Sequence, residues 1–256
     1  MTASDPLTIG GHTFTSRFIL GSGKYSYDLI DSAIHHAQAQ IITMALRRTT
    51  QAADNILSYI PKDITILPNT SGCTTAEEAI RTAHIARELS GSDFIKLEVV
   101  PDKQYLMPDN YETLKATEVL ANEGFIVMPY VLPDLVVARQ LVNAGAATVM
   151  PLAAPIGTNQ GLTTKSLIQI LINELSVPVI IDAGIGRPSE AAEAMEMGAA
   201  AIMANTSMAT AANIPLMAAA FRLGVQAGRQ AFLAGPGRVV TKGAVASSPL
   251  TGVSHA

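Results

Sequence analysis

One cysteine, Cys73, is all that this 256-residue chain contains. An internal disulfide is therefore excluded, and the usage fits a reducing compartment, the cytoplasm. Charge is sparse too: charged residues make up 15% of the chain against 48% hydrophobic. No charge run or low-complexity block appears before a Gly/Ser-rich end, so the body has the composition of a folded globule. The formal net charge is −4, and Lys and Arg are scattered rather than striped, which argues against a nucleic-acid partner. Mean hydropathy is +0.30, yet no apolar stretch approaches the ~18 residues that span a membrane. Met1 to Pro6 shows no basic segment followed by an apolar one, so no secretory signal is expected. His35 and His36 fall on different faces of a helix, and His12, His84 and His255 are isolated, so no metal site is expected. Gly21-Ser22-Gly23-Lys24 lacks the spacing of a Walker motif. ATP is not implied, and no other cofactor is expected.

What is present is a regular alternation. Short apolar runs recur at Arg17–Leu20, Ile41–Leu46, Ile64–Leu67, Phe94–Val99, Phe125–Met128, Thr148–Met150, Val179–Ile181 and Ala201–Ala204, each starting 22 to 31 residues after the last. Between them lie helical patterns, among them Thr75–Leu89, Asn110–Glu123, Leu135–Asn143, Thr164–Glu174, Ser189–Met197 and Leu216–Leu233. Their ends are marked. Thr74 or Thr75 stands at an N-cap before Glu77 and Glu78, Pro188 opens another helix, and Gly124, Gly145 and Gly198 follow helical stretches as left-handed caps. Length alone leaves one or two domains open. Eight such units with strands apolar on both faces favour an α/β fold of the closed (β/α)8, or TIM, barrel type over an open doubly wound sheet. The expected division is a single barrel domain over residues 1–235 and a Gly/Ser-rich flap or tail over 236–256.

A closed barrel should collect functional residues at the C-terminal ends of its strands. Those ends read Gly21-Ser22-Gly23-Lys24, Arg47-Arg48, Asn69 to Cys73, Lys96 with Glu98, Pro129-Tyr130, Pro151 to Gly157, Asp182 to Gly186, and Asn205-Thr206-Ser207. Lys96 is the anomaly, an ammonium inside Phe94-Ile95-Lys96-Leu97-Glu98-Val99. Strand alternation puts Phe94, Lys96 and Glu98 on one face and Ile95, Leu97 and Val99 on the other. Desolvation lowers a lysine's pKa and frees its amine to attack a carbonyl. A structural Lys96–Glu98 pair is the competing reading, and both stand at this point. Asp182 ends an apolar strand and faces either the barrel mouth, as a third member of the set, or a helix end as a cap.

The loops after the seventh and eighth strands, with Gly157 after the sixth, suit a phosphate held on backbone N–H groups, or else simply make tight turns. Arg47-Arg48 reads better as a brace of the rim than as an anion site. Cys73, with no histidine or second cysteine nearby in sequence, reads as a small buried filler.

Taken together, these motifs resemble the bacterial thiazole synthases of thiamin biosynthesis, the large subunit that forms a Schiff base. The resemblance covers nearly the whole chain. It rests on Leu20-Gly21-Ser22-Gly23-Lys24-Tyr25, Ala45-Leu46-Arg47-Arg48, Leu67-Pro68-Asn69-Thr70-Ser71-Gly72-Cys73, Ile95-Lys96-Leu97-Glu98-Val99, Val149-Met150-Pro151-Leu152 with Ala154-Pro155-Ile156-Gly157, and Asp182-Ala183-Gly184-Ile185-Gly186. It implies a (β/α)8 transferase in which Lys96 forms an imine with 1-deoxy-D-xylulose 5-phosphate. Glu98 and Asp182 would then move protons, and Gly157, Ala183, Gly184, Asn205 and Thr206 would hold substrate and phosphate. It also implies sulfur from the C-terminal thiocarboxylate of a ubiquitin-like sulfur-carrier protein, dehydroglycine (2-iminoacetate) from a supplying enzyme, and a homodimer or homotetramer. Tyr130 to Asp134, Asn213-Ile214-Pro215 and Thr241 to Val245 depart from the family's pattern, but none of them carries a chemical role. Two other classes share part of this logic: a Schiff-base aldolase on a phosphosugar, and a barrel that only binds a metabolite.

Overall fold

The structure, a computed structural model, describes residues 5–21, 26–45 and 56–243. The chain first turns back on itself. Strands β1 (Leu7–Ile9) and β2 (His12–Phe14) pair antiparallel across Gly10 and Gly11, whose φ values of 55° and 82° suit a two-residue hairpin turn. This hairpin is an addition to the elements expected from the sequence. Leu7, Ile9 and Phe14 pack into the same cluster as the inner barrel residues, so the hairpin forms the floor of the barrel.

Eight parallel strands follow: β3 (Phe18–Leu20), β4 (Ile41–Met44), β5 (Thr65–Pro68), β6 (Phe94–Leu97), β7 (Ile126–Val131), β8 (Met150–Pro151), β9 (Ile180–Ile181) and β10 (Ala201–Ala204). Their pairing follows chain order and returns to its start. Ile19 registers with Ile41, Ile41 with Thr65, Phe94 with Ile126, Tyr130 with Met150, Ala201 with Ile180 and Ile202 with Phe18. Single bridges, Asn69 to Lys96 and both Val149 to Val179 and Leu152 to Asp182, join the remaining neighbours. The sheet is thus a closed (β/α)8 barrel, as expected.

Two apolar layers result. Ile19, Ile41, Leu67, Phe94, Met128, Met150, Ile180 and Met203 fill the interior, while Leu20, Ile42, Ile95, Leu97, Ile181 and Ile202 pack outward with the helices. Along β6 this is the expected alternation, with Ile95, Leu97 and Val99 outside and Phe94 inside. The strand is shorter than its apolar run. Past Leu97 the backbone turns to the loop after β5, Glu98 N–H donating to the Thr70 hydroxyl and Val100 N–H to the Cys73 carbonyl. The sixth barrel strand likewise lies at Met150–Pro151 instead of Thr148–Met150.

Helix ends match the sequence closely. Ala76–Ser90 starts after Thr75, whose hydroxyl accepts from Glu78 N–H, and Gly124, Gly145 and Gly198 all have positive φ. The helix Ile214–Ala234 ends at Gly235, and residues 236–243 are exposed and carry no helix or strand. Residues 244–256, Ser22 to Tyr25 and Arg47-Arg48 lie outside the described residues. Among the described residues no helix is long and apolar enough to cross a membrane.

The N-terminal end of the barrel is clamped by charge. Asp5 receives two bonds from Arg229, at 2.7 and 2.8 Å, and lies 3.0 Å from the buried Arg17 guanidinium. Those bonds from Arg229 hold its carboxyl below the ordinary aspartate range. On the outside, the helix Ile214–Ala234 closes on the helix Pro188–Glu196 at Gly228, where a Cβ would stand 2.1 Å from the Ala192 carbonyl oxygen. Gly228→Ala must push the two helices apart, and we expect it to lower stability by about 1–3 kcal/mol. Urea unfolding measures this, and an unchanged midpoint contradicts the packing described.

Candidate active site

Period-two alternation on β6 turns Lys96 and Glu98 into the barrel mouth, and the end of β9 adds Asp182 from across the interior. The Lys96 ammonium lies 2.6 Å from Glu98 Oε1 and 2.7 Å from Asp182 Oδ2. All three residues are buried, with relative exposures of 4%, 5% and 5%. The sequence paired Lys96 with Glu98 or added Asp182 as a third member. The structure does both.

Glu98 is fixed through its backbone and Asp182 through its carboxylate. Thr70 accepts from Glu98 N–H at 2.8 Å and donates to the Glu98 carbonyl at 2.7 Å, which fixes the residue two places beyond Lys96. Asp182 Oδ1 accepts from the N–H of Ala183 at 2.8 Å. Ala183 sits in the left-handed region at φ 60°, a conformation that costs an alanine about 1 kcal/mol. Asp182 Oδ2 is the exception. Its close contact with the ammonium is electrostatic, and among the described residues nothing donates it a well-directed hydrogen bond.

The charge balance corrects one expectation. Burial is the largest single influence on Lys96 and does push its pKa down, but the charges of Asp182 and Glu98 at close range outweigh it and lift the lysine above its ordinary range. Resting Lys96 is an ammonium, not the freed amine that desolvation alone would give. Burial raises the Asp182 carboxyl, against the pull of Lys96.

Around this triad the expected phosphate residues converge. Gly184, at φ 86°, presses on the loop after β8 so tightly that a Cβ would meet the Ala154 nitrogen at 2.5 Å, and its carbonyl accepts from Gly161 N–H at 2.8 Å. A Cβ on Gly157 would stand 4.0 Å from the Thr206 hydroxyl. Asn205 donates to the Gly21 carbonyl at 2.7 Å, tying the loop after β10 to the end of β3. Gly157, Ala183, Gly184, Asn205 and Thr206 thus occupy one side of the mouth. Further along the loop after β9, the amides of Gly186 and Arg187 are already bonded to Glu190 Oε2, at 2.7 and 3.0 Å.

Sequence reasoning gave Tyr130 no role, yet its fully buried ring centroid lies 5.3 Å from Lys96 Nζ. A signal for it existed. Met128 registers with Lys96, and strand alternation places Tyr130, two residues on, level with Glu98. Burial, then the charges of Asp182 and Glu98, raise the Tyr130 phenol, so it stays neutral. Cys73 is buried, its sulfur 3.2 Å from the Thr82 hydroxyl, in keeping with a filler. Among the described residues no cluster of His, Cys, Asp and Glu has the arrangement of a metal site.

Comparison with known proteins points to one family. The family model described as thiazole biosynthesis protein ThiG matches residues 8–249. The thiazole synthase of Clostridium beijerinckii is 63% identical over 249 residues, covering 97% of each chain, and that of Fusobacterium nucleatum is equally similar. Among solved structures, the BexX/CysO complex of Amycolatopsis orientalis matches at 34% identity and TM-score 0.83, over 92% of this chain and 98% of that one. A KDPGal structure, at 15% identity and TM-score 0.55 over 83% of this chain and 95% of that one, shares the fold alone.

Removing the cation tests the electrostatics. Lys96→Met leaves two carboxylates buried side by side, and we expect it to lose about 3–5 kcal/mol of stability at pH 7.5. Without the ammonium, the folded-state pKa of Asp182 rises further above its unfolded value. The folded variant then binds the extra proton, so stability returns as pH falls toward 5. Unfolding at the two pH values measures this. A loss that does not shrink at low pH contradicts the account.

Proposed function

We propose that this chain, which belongs to the thiazole biosynthesis protein ThiG family and is a thiazole synthase, builds its ring through an imine on Lys96. The observation that carries this reading is the buried ammonium held 2.6 and 2.7 Å from two carboxylates at the C-terminal mouth of the barrel. The substrate is a phosphorylated ketose, 1-deoxy-D-xylulose 5-phosphate, whose phosphate rests against Gly157, Ala183, Gly184, Asn205 and Thr206. As it displaces the last water, Lys96 passes a proton to Asp182, whose carboxyl burial has already raised. The free amine attacks the ketone carbon, the C–N bond forms, and the carbonyl oxygen leaves as water. Glu98, pinned by Thr70, and Asp182 then carry protons between neighbouring carbons as the carbonyl migrates along the chain.

Sulfur comes from the C-terminal thiocarboxylate of a small ubiquitin-like sulfur-carrier protein, and dehydroglycine from a separate supplying enzyme provides the remaining C–N unit. The solution of BexX as a complex with CysO supports a protein partner for a barrel of this kind. We further assign residues 1–235 as the catalytic barrel and 236–256 as its tail. The assembly is a homodimer or homotetramer, and the single, buried cysteine fits a cytoplasmic location.

Borohydride added in the presence of 1-deoxy-D-xylulose 5-phosphate should leave a reduced adduct on the peptide containing Lys96 and none in Lys96→Ala. Peptide mass spectrometry reads it. An adduct on another lysine, or none, overturns the reading. Gly184→Val, with its side chain driven into Ala154, should raise the sugar phosphate concentration needed for half-maximal trapping at least tenfold. An unchanged value removes Gly184 from the phosphate grip.

A further inference from the structure

The N-terminal end of the barrel, away from Lys96, carries a cavity of about 680 Å³. It lies between the helix Ile214–Ala234 and the segments that lead into β3, β4 and β5, and its volume is that of a small-molecule site. Its floor is apolar, with Phe18, Ala37, Ile64 and Val225 all buried. Its rim is cationic. Arg17, Arg222 and Arg229 line it with Asp5 and Asp63, a surplus of one positive charge on a chain whose formal net charge is −4. Arg17 and Arg229 are committed to Asp5. Arg222 is not: its Nε donates to the His36 carbonyl at 3.1 Å, and it pairs with no carboxylate among the described residues, so its two terminal nitrogens are open to a ligand. The carboxamides of Gln38, Gln226 and Gln230 also line the cavity and bond to no other described residue. Gln38 stands there on an unusual backbone. Where the helix Tyr27–His35 ends, Ala39 N–H reaches back to the Ala33 carbonyl at 2.8 Å and Gln38 takes φ 56°, a conformation that suits glycine.

We propose that this cavity is a nucleotide site, separate from the catalytic mouth, with the phosphate on Arg222 and the base over the apolar floor. The guanidinium fork matches a phosphate bidentately, and the bond to the His36 carbonyl holds the plane of that fork. A base needs more than an apolar seat, since its ring edge carries both donors and acceptors. A carboxamide offers one of each side by side, the pairing that glutamine makes with the Hoogsteen edge of adenine. Three carboxamides at one cavity therefore favour a nucleotide over a bare anion or a simple carboxylate. Barrels of this type do their chemistry at the C-terminal ends of the strands, so a nucleotide at the opposite end is not a reactant. It bridges the helix Ile214–Ala234 and the end of the helix Tyr27–His35, and by binding only the folded chain it stabilises it.

Titration calorimetry on the full-length protein tests this with adenosine 5′-monophosphate, adenosine and inorganic phosphate as probes. The nucleotide should bind one per chain and about tenfold or more tighter than either of its parts, because it alone meets both the floor and the fork. Arg222→Gln should weaken the nucleotide about tenfold or more and leave adenosine unchanged. Gln38→Gly removes a carboxamide while easing the backbone, so it should weaken nucleotide and adenosine together without lowering the thermal unfolding midpoint. Gly184→Val, at the other end of the barrel, should bind the nucleotide as the unaltered protein does. No binding of the nucleotide, or binding no tighter than that of inorganic phosphate, overturns the assignment. So does binding that survives Arg222→Gln but is lost in Gly184→Val, which places the nucleotide in the mouth.

Discussion

A lysine held between two carboxylates, out of water, is the constraint on which the rest of this molecule turns. An isolated ammonium at the position of Lys96 would cost several kcal/mol in lost hydration, and so would each carboxylate. Together they are tolerable only if the geometry is kept. That geometry comes from three separate places: alternation on β6, the Thr70 hydroxyl behind Glu98, and the left-handed Ala183 that lets its own N–H hold Asp182. Below the triad, a layer of Ile, Leu, Phe and Met side chains and the N-terminal hairpin close the barrel against water. Beside it, the Tyr130 ring excludes water without offering a competing charge.

The same arrangement stores reactivity instead of displaying it. A lysine desolvated alone would be a free amine at neutral pH, open to any carbonyl that entered. Here the carboxylates keep it charged, and Asp182 Oδ2 faces it at 2.7 Å. On the proposed mechanism, the amine becomes a nucleophile only when something in the mouth changes that balance. The glycines Gly157 and Gly184 lie in the loops after β8 and β9, and the buried apolar cluster of Val100, Tyr130 and Leu152 lies beside the triad.

Much of this was legible in the chain. Lys96 stood out because an ammonium interrupts an apolar run, and the face it shares with Phe94 and Glu98 is the inner one. Asp182 was legible as the polar end of a buried strand, and the glycines of the loops after β8 and β9 as places of close approach. The hairpin floor could have been read from Gly10-Gly11 between Leu7-Thr8-Ile9 and His12-Thr13-Phe14, but strands of three residues carry little periodicity. The direction of the lysine's pKa was not legible. It depends on a second carboxylate 86 residues further along the chain, and sequence supplies burial without supplying distance. Tyr130 escaped for a related reason, since its importance lies in the register between β6 and β7.

The protonation state of Lys96 in the ligand-free protein is the most direct measure of the account. Nitrogen-15 labelling of lysine, with Lys96→Met to assign the resonance, reports whether Nζ is an ammonium or an amine across a pH titration. An ammonium that persists to about pH 10, near or beyond the ordinary lysine value, is what two buried carboxylates require. A neutral amine at pH 8 would contradict it.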